Sequence, residues 1–312
     1  MRLTLSLAIA ALLFGFFATV SDGDRGRVDL AGSSTMLPIV ERTLYRFVDD
    51  PSIGRASYTA VGSGAAIARL IAGETDVAAS SRPISPRELA AATATGVVPV
   101  GVVLGYDAVS IVVSEFNSWA LDLSRDETRR ALSTAITWSD VRPSFPPHPI
   151  VRFVPGTDSG TFDFICEMLF DGNASPMLSA TRVQFSEDDY VLARGVAENR
   201  GAIGFFGHGY VGRLSDARVR TVAIDGIAPD ADTVRYGAYP FVRPLSIYST
   251  ADTLALRPDV VALVGAFLLS ATEDVVAGGY FAADATTIAA GIAQLAAYHP
   301  AASESAEREP RR

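Results

Sequence analysis

The sequence has no lysine: its 26 basic residues are all arginine, set against 35 acids for a formal net charge of −9. A general nucleic-acid binder is thereby excluded, since phosphate-backbone affinity needs surplus Lys and Arg. Any cation that a site presents must be a guanidinium, whose planar fork suits oxyanions and carboxylates. The single cysteine, Cys166, permits no intrachain disulfide; it falls inside a predicted helix from Phe162 to Phe170 and reads as a core residue. Histidine is also scarce. His148, His208 and His299 are scattered in loop-like contexts with no HExxH or comparable spacing, so no metal site is expected. The acidic run Glu187-Asp188-Asp189 does not alter this, because three adjacent carboxylates at a helix start cannot all face one ion. It reads as N-terminal helix charge.

Beyond the apolar run from Leu3 to Val20, no stretch reads as long enough to span a bilayer. Met1-Arg2 precedes that run and the polar stretch Ser21 to Gly26 follows it, which predicts a secretory signal peptide over 1–20, with an uncleaved anchor as the alternative. No cysteine follows, so a lipid anchor is not indicated. The expected mature protein is soluble, periplasmic or otherwise extracytoplasmic, and carries about −10, because the removed segment holds only Arg2.

What remains is globular: 312 residues, 49% hydrophobic and 20% charged, enough for about two domains. From Arg27 onward short β-rich runs alternate with helical ones, the pattern of an α/β protein with mostly parallel sheets. Four strand-to-helix junctions are alike. Val28 to Ala31 leads through Gly32-Ser33-Ser34-Thr35 into a helix from about Pro38. Ser57 to Val61 leads through Gly62-Ser63-Gly64 into Ala65 to Ala72. Asp76 to Ala79 leads through Ser80-Ser81-Arg82 to a helix near Ser85, with Glu88 completing a capping box. Ile150 to Val154 leads through Pro155-Gly156-Thr157-Asp158-Ser159-Gly160-Thr161 into Phe162 to Phe170. Each junction puts hydroxyls and glycines where backbone N–H groups lack partners and the helix dipole is positive, an arrangement that binds anions. A single such junction is ordinary helix capping; four in one chain point to a shared ligand.

The β-rich stretches 97–113 and 236–249 could connect two lobes. The boundaries predicted from them are 27–105 plus 243–300 for lobe 1 and 106–242 for lobe 2, with a disordered tail over 301–312. The proline-rich segment 142–149 reads as a rigid loop.

In order and spacing, AGSST, VGSG, AGETDVAASSRPIS, GYDAVSIVV, PGTDSGTFDF, SEDDYVLARGVAENRGAIGFFGHGY and VRPLSIY resemble the PstS-type phosphate-binding proteins of bacterial phosphate ABC transporters over nearly the whole mature chain. The resemblance implies a two-lobed periplasmic-binding-protein fold of type II, with helices flanking each sheet and a ligand cleft between lobes. It also implies delivery of inorganic phosphate to a membrane ABC permease by a monomer without a cofactor. Carried over residue by residue, it implies ligand contacts from Ser34, Thr35, Ser63, Ser159, Gly160 and Thr161. Two positions depart from the best-known branch. The carboxylate that follows the Ser of the DxxxS loop there is Ser81 here, followed by Arg82, and the Arg four residues before the Ser of SGT is Pro155. The sequence instead resembles a branch with SSRP and PGTDSGT, which implies that the charges have changed places: Arg82 supplies the guanidinium, Asp158 the proton-accepting carboxylate, and Ser81 a hydroxyl. Such a carboxylate favours hydrogen phosphate over a fully deprotonated oxyanion such as sulfate.

Each assignment has a plainer counterpart. Ser34, Thr35, Ser63 and Asp158 could be helix caps, Arg82 could pair with Glu88 or Asp76, and Tyr106 and Asp107 could be hinge packing or close the cleft. Arg152 reads as structural. Among other functions, an aspartic protease would need a second D-[ST]-G, a trypsin-like enzyme a matching histidine, and a phosphatase a nucleophile with a base or metals; none is found, so no enzyme is expected. An envelope phosphate sensor or scavenger, or a binder of another tetrahedral oxyanion, remains as the alternative.

Overall fold

The computed structural model describes residues 27–53, 55–157, 159–213 and 218–298. The predicted signal segment, the predicted tail, His299 and Asp158 lie outside them. In chain order the strands are β1 (Arg27–Gly32), β2 (Arg55–Ala60), β3 (Val77–Ser80), β4 (Pro99–Ser114), β5 (Asp122–Leu123), β6 (Val151–Pro155), β7 (Val183–Ser186), β8 (Ala202–Gly207), β9 (Val219–Thr221), β10 (Ala223–Ile224), β11 (Val242–Thr250) and β12 (Phe281–Ala282). The chain divides into two compact units. The first comprises the described residues of Met1–Gly105, Pro244–Gly278 and Ala282–Arg312; the second comprises Tyr106–Arg243 and Gly279–Phe281.

In the first unit β1 pairs in parallel with β2 and with β3, and β11 adds to β3 antiparallel, with Ile247 opposite Ala79. β3 is buried throughout, as a strand covered on both faces must be. Glycine at position 32 is required by close approach: an added Cβ would stand 2.5 Å from both the Ala79 carbonyl oxygen and Tyr58 Oη. The helix Pro258–Ala277 has the length and apolar composition of a membrane span although Asp259, Glu273 and Asp274 interrupt its apolar run, which corrects the expectation that no stretch beyond Val20 is long enough to span a bilayer. It is a core helix of this unit, with 72% of its apolar window buried. Its buried Asp274 accepts hydrogen bonds from Thr43 Oγ1 (3.0 Å) and Arg46 Nη2 (2.8 Å), which tie it to the helix Leu37–Arg46.

In the second unit β6 pairs in parallel with β7 and β8, while β8 and β9 both pair antiparallel with β4. Parallel pairing therefore holds for β1–β3 and for β6–β8, the strands linked through helices, and the long strands β4 and β11 bring the antiparallel pairs. The core here is aromatic: Trp138, Phe162, Phe205, Tyr239 and Phe241 are fully buried or nearly so, and Cys166 packs among them. Burial raises the Cys166 thiol to about 11, with Asp163 adding to the rise. Arg152, on β6, is completely buried. It donates to the Ala131 carbonyl at 2.8 Å and the Thr181 carbonyl at 2.7 Å, and also to the Ala135 carbonyl. Two of these carbonyls lie at or just beyond the C-terminus of the helix Arg125–Leu132, where a cation satisfies orphan acceptors and opposes the negative end of the dipole.

Candidate functional site

In the first unit three of the predicted junctions meet. Ser33 caps the short turn Ser34–Met36, its Oγ accepting from the Thr35 N–H at 3.2 Å, and Ser63 opens the helix Ser63–Ile71. Ser81 follows β3 directly, and its N–H donates to Ser63 Oγ at 3.1 Å. The hydroxyls form one buried to half-buried cluster, with Ser33 Oγ 3.0 Å and Ser63 Oγ 3.4 Å from Ser81 Oγ. Ser33 and Ser63 already accept backbone N–H groups. Directing their hydroxyl protons at Ser81 Oγ leaves the Ser81 proton for an outside acceptor, which an oxyanion is. Ser34 is exposed and Thr35 half-buried at the start of the adjoining turn.

Ser33 was not among the predicted ligand residues, although it lies inside the AGSST motif. Tyr58 anchors it: Tyr58 Oη donates to the Ser33 carbonyl at 2.6 Å, and the Ser33 N–H donates to the Ala79 carbonyl at 2.9 Å. Burial holds the Tyr58 phenol well above its usual pKa, so it remains a donor.

Arg82 lies beside the same cluster, its Nη2 3.2 Å from where a Cβ on Gly64 would stand. Its guanidinium is engaged in a fork with Glu88 and also donates to the Pro83 carbonyl at 2.9 Å. Glu88 caps the helix Pro86–Ala94 as the sequence predicts, accepting from the Ser85 N–H and Oγ. Burial pushes the Glu88 carboxyl up, but the hydrogen bonds from Arg82 and Ser85 outweigh it and leave its pKa at about 2.

In the second unit Ser159 caps the helix Gly160–Phe170, its Oγ accepting from the Thr161 N–H at 3.2 Å. Gly160 is exposed and Thr161 half-buried at this helix start. Sequence reasoning missed the group behind them. Arg243, at the head of VRPLSIY, sends Nη1 to the Gly160 carbonyl and Nη2 to Thr161 Oγ1, both at 3.2 Å. Its side chain is 5% exposed and pairs with Asp107, 1% exposed, through Nε (2.9 Å) and Nη2 (2.8 Å) onto the same oxygen, Oδ2. Asp107 Oδ1 has no hydrogen-bond partner among the described residues. The signal was an arginine in an otherwise uncharged strand together with an aspartate in GYDAVSIVV, residues that sequence alone could not pair.

Asp188 caps the helix Asp189–Glu198, the helix-start role predicted for the acidic run. Burial, reinforced by Asp107 and Asp188, pushes the Asp189 carboxyl up to about 6. Among the described residues, no cluster of three or more His, Cys, Asp or Glu could hold a metal ion.

A PBP superfamily domain model matches residues 18–272. The chain is 30% identical over 283 residues to Protein SphX of Synechocystis sp., covering 87% of this chain and 83% of that protein. It is 28% identical over 235 residues to the phosphate-binding protein PstS of Staphylococcus haemolyticus, covering 74% and 72%. Among solved structures, that of "a possible phosphate binding protein" from Planctomyces limnophilus matches with a TM-score of 0.73 and 28% identity over 88% of this chain and 98% of that one. The resemblance read from the motifs and the α/β fold it implied are both borne out. By the span of the family match and the identity to these relatives, the chain belongs to the PBP superfamily.

Proposed function

We propose that the protein binds inorganic phosphate outside the cytoplasmic membrane and passes it, unaltered, to a membrane ABC permease. The observation that carries this reading is the convergence of Ser33, Ser63 and Ser81 in the first unit: three hydroxyls at strand-to-helix junctions with one proton left to give. A second donor set, Ser159, Gly160 and Thr161, opens a helix in the second unit. Ser34 and Thr35 adjoin the first set, Arg82 supplies its cation, and Asp158 is the residue proposed to accept the proton of hydrogen phosphate. Fixed donors of this kind outweigh an unfavourable net charge at short range, because they need no reorganisation and act in a poorly solvated site.

Binding without turnover also fits the one serine–histidine pair found among the described residues. Ser110 Oγ lies 2.8 Å from His208 Nδ1, but Ser110 is completely buried and out of reach of any substrate. Calorimetric titration with phosphate and with sulfate at neutral pH tests the reading, with Arg82→Ala and Asp158→Asn alongside. Phosphate is expected to bind and sulfate to bind far more weakly, with both variants impaired for phosphate. Equal binding of the two anions would remove the proton-accepting carboxylate, and no phosphate binding would remove the function.

A further inference from the structure

We propose that Arg243 is a positioning residue of the anion site: held by Asp107, it orients the Thr161 hydroxyl so that this group can only donate. The inference rests on the phosphate reading above and names the residue that sets one of its donors. A guanidinium has five N–H bonds in a rigid fork. Here two go to Asp107 Oδ2, one to the Gly160 carbonyl and one to Thr161 Oγ1. Thr161 Oγ1 therefore already accepts from a cation, and its own proton must point away from Arg243. Among the described residues no acceptor is found for that proton. A hydroxyl fixed in this way, at the first turn of the helix Gly160–Phe170, is a preorganised donor to an anion.

Charge decides that Arg243 acts through direction rather than as a bare cation. It faces two carboxylates: Asp107, in contact, and Asp189, within electrostatic reach. With both ionised, the three groups sum to −1, so the cluster does not attract an anion by its net charge. What the fork supplies is geometry, which a lysine ammonium, a single point donor on a flexible stem, does not reproduce.

The test is a double-mutant cycle read by phosphate calorimetry on the full chain at pH 7.5, with thermal melts by circular dichroism to verify folding. Thr161→Val and Arg243→Lys are each expected to weaken phosphate binding by roughly ten- to a hundredfold, the range for a hydrogen bond to a charged group. The double variant is expected to lie within about threefold of Thr161→Val alone, the signature of two residues acting as one. Thr161→Ser, which keeps the hydroxyl, is expected to stay within about threefold of wild type. Multiplying losses in the double variant, or Arg243→Lys binding like wild type, would overturn the proposal while leaving the phosphate reading intact. Wild type failing to bind phosphate would overturn both. Should Arg243→Lys not fold, Asp107→Asn in its place gives the same cycle with the same expected outcome.

Discussion

Arg82 and Glu88 face each other fork to fork, Nη2 to Oε1 at 2.7 Å and Nη1 to Oε2 at 2.8 Å, at the N-terminal end of the helix that Glu88 caps. The cation proposed for the ligand is thus already matched by a carboxylate. Pairing of this kind fixes the guanidinium and removes most of its field. Glu88→Gln keeps an acceptor for Arg82 and for the Ser85 cap but removes the charge. The variant is expected to bind phosphate several-fold more tightly at low ionic strength, with the gain shrinking as salt is raised. Calorimetry at two salt concentrations checks this; unchanged or weaker binding at both would show that the pair's rigidity matters more than its neutralised charge.

Gly32 lies where the Ala79 carbonyl and the Tyr58 hydroxyl leave no room for a side chain. Gly32→Ala must displace backbone rather than a flexible side-chain tip, so a loss of about 2–4 kcal/mol is expected, with weakened phosphate binding in whatever remains folded. Tyr58→Phe keeps the ring and loses only the hydrogen bond to the Ser33 carbonyl, for about 1 kcal/mol. Urea titrations of both variants rank the two effects, and a Gly32→Ala protein as stable as wild type would refute the steric argument.

The features legible in the sequence are those written within a few residues of one another. The Ser85–Glu88 capping box, the start of the helix after Asp188, and the hydroxyl-rich turn after β1 are local patterns whose physics is complete over one turn. The family motifs added order and fold, because their spacing reports the whole chain. Long-range pairing was not legible. Ser33 meets Ser81 across 48 positions and Arg243 meets Asp107 across 136, and nothing in the local composition of either strand names its partner. The Arg82–Glu88 pair was foreseen as the plainer counterpart of the ligand role, since six residues bridged by a capping box bring the two side chains together.

Arg152 is a cation buried completely, with three carbonyl partners and no ion pair found for it among the described residues. Burial, with Arg182 adding to it, pulls its pKa down to about 10, still far above neutrality, so it remains charged. Arg152→Met would fill part of the volume but strand those carbonyls around the end of the helix Arg125–Leu132. A loss of about 3 kcal/mol is expected, with phosphate affinity of the folded fraction unchanged. Denaturant unfolding and calorimetry on the same preparation separate the two; loss of affinity without loss of stability would move Arg152 from the scaffold to the site.

Asp189 gives the fold a pH dependence with a definite sign. Its folded pKa of about 6 lies above the roughly 3.9 of an unfolded aspartate. The folded state therefore holds the proton more tightly, and this contribution to stability is complete below about pH 3.9 and lost as pH rises through about 6. The groups responsible face it from several elements: Asp107 from β4, Glu187 and Asp188 from the approach to its own helix, and Arg243 from β11, which opposes them. Asp189→Asn cannot ionise and is spared the loss. It also gives up the benefit of a carboxylate at a helix start, about 0.3–1 kcal/mol, so of the roughly 3 kcal/mol that the rise from about 3.9 to about 6 represents, a net gain of about 2 kcal/mol is expected at pH 8. That gain should shrink through pH 6 and 5 and be gone at pH 4. Urea unfolding of both proteins across this range measures it directly, and a difference that stays constant with pH would mean that Asp189 ionises in the folded protein as it does in the unfolded chain.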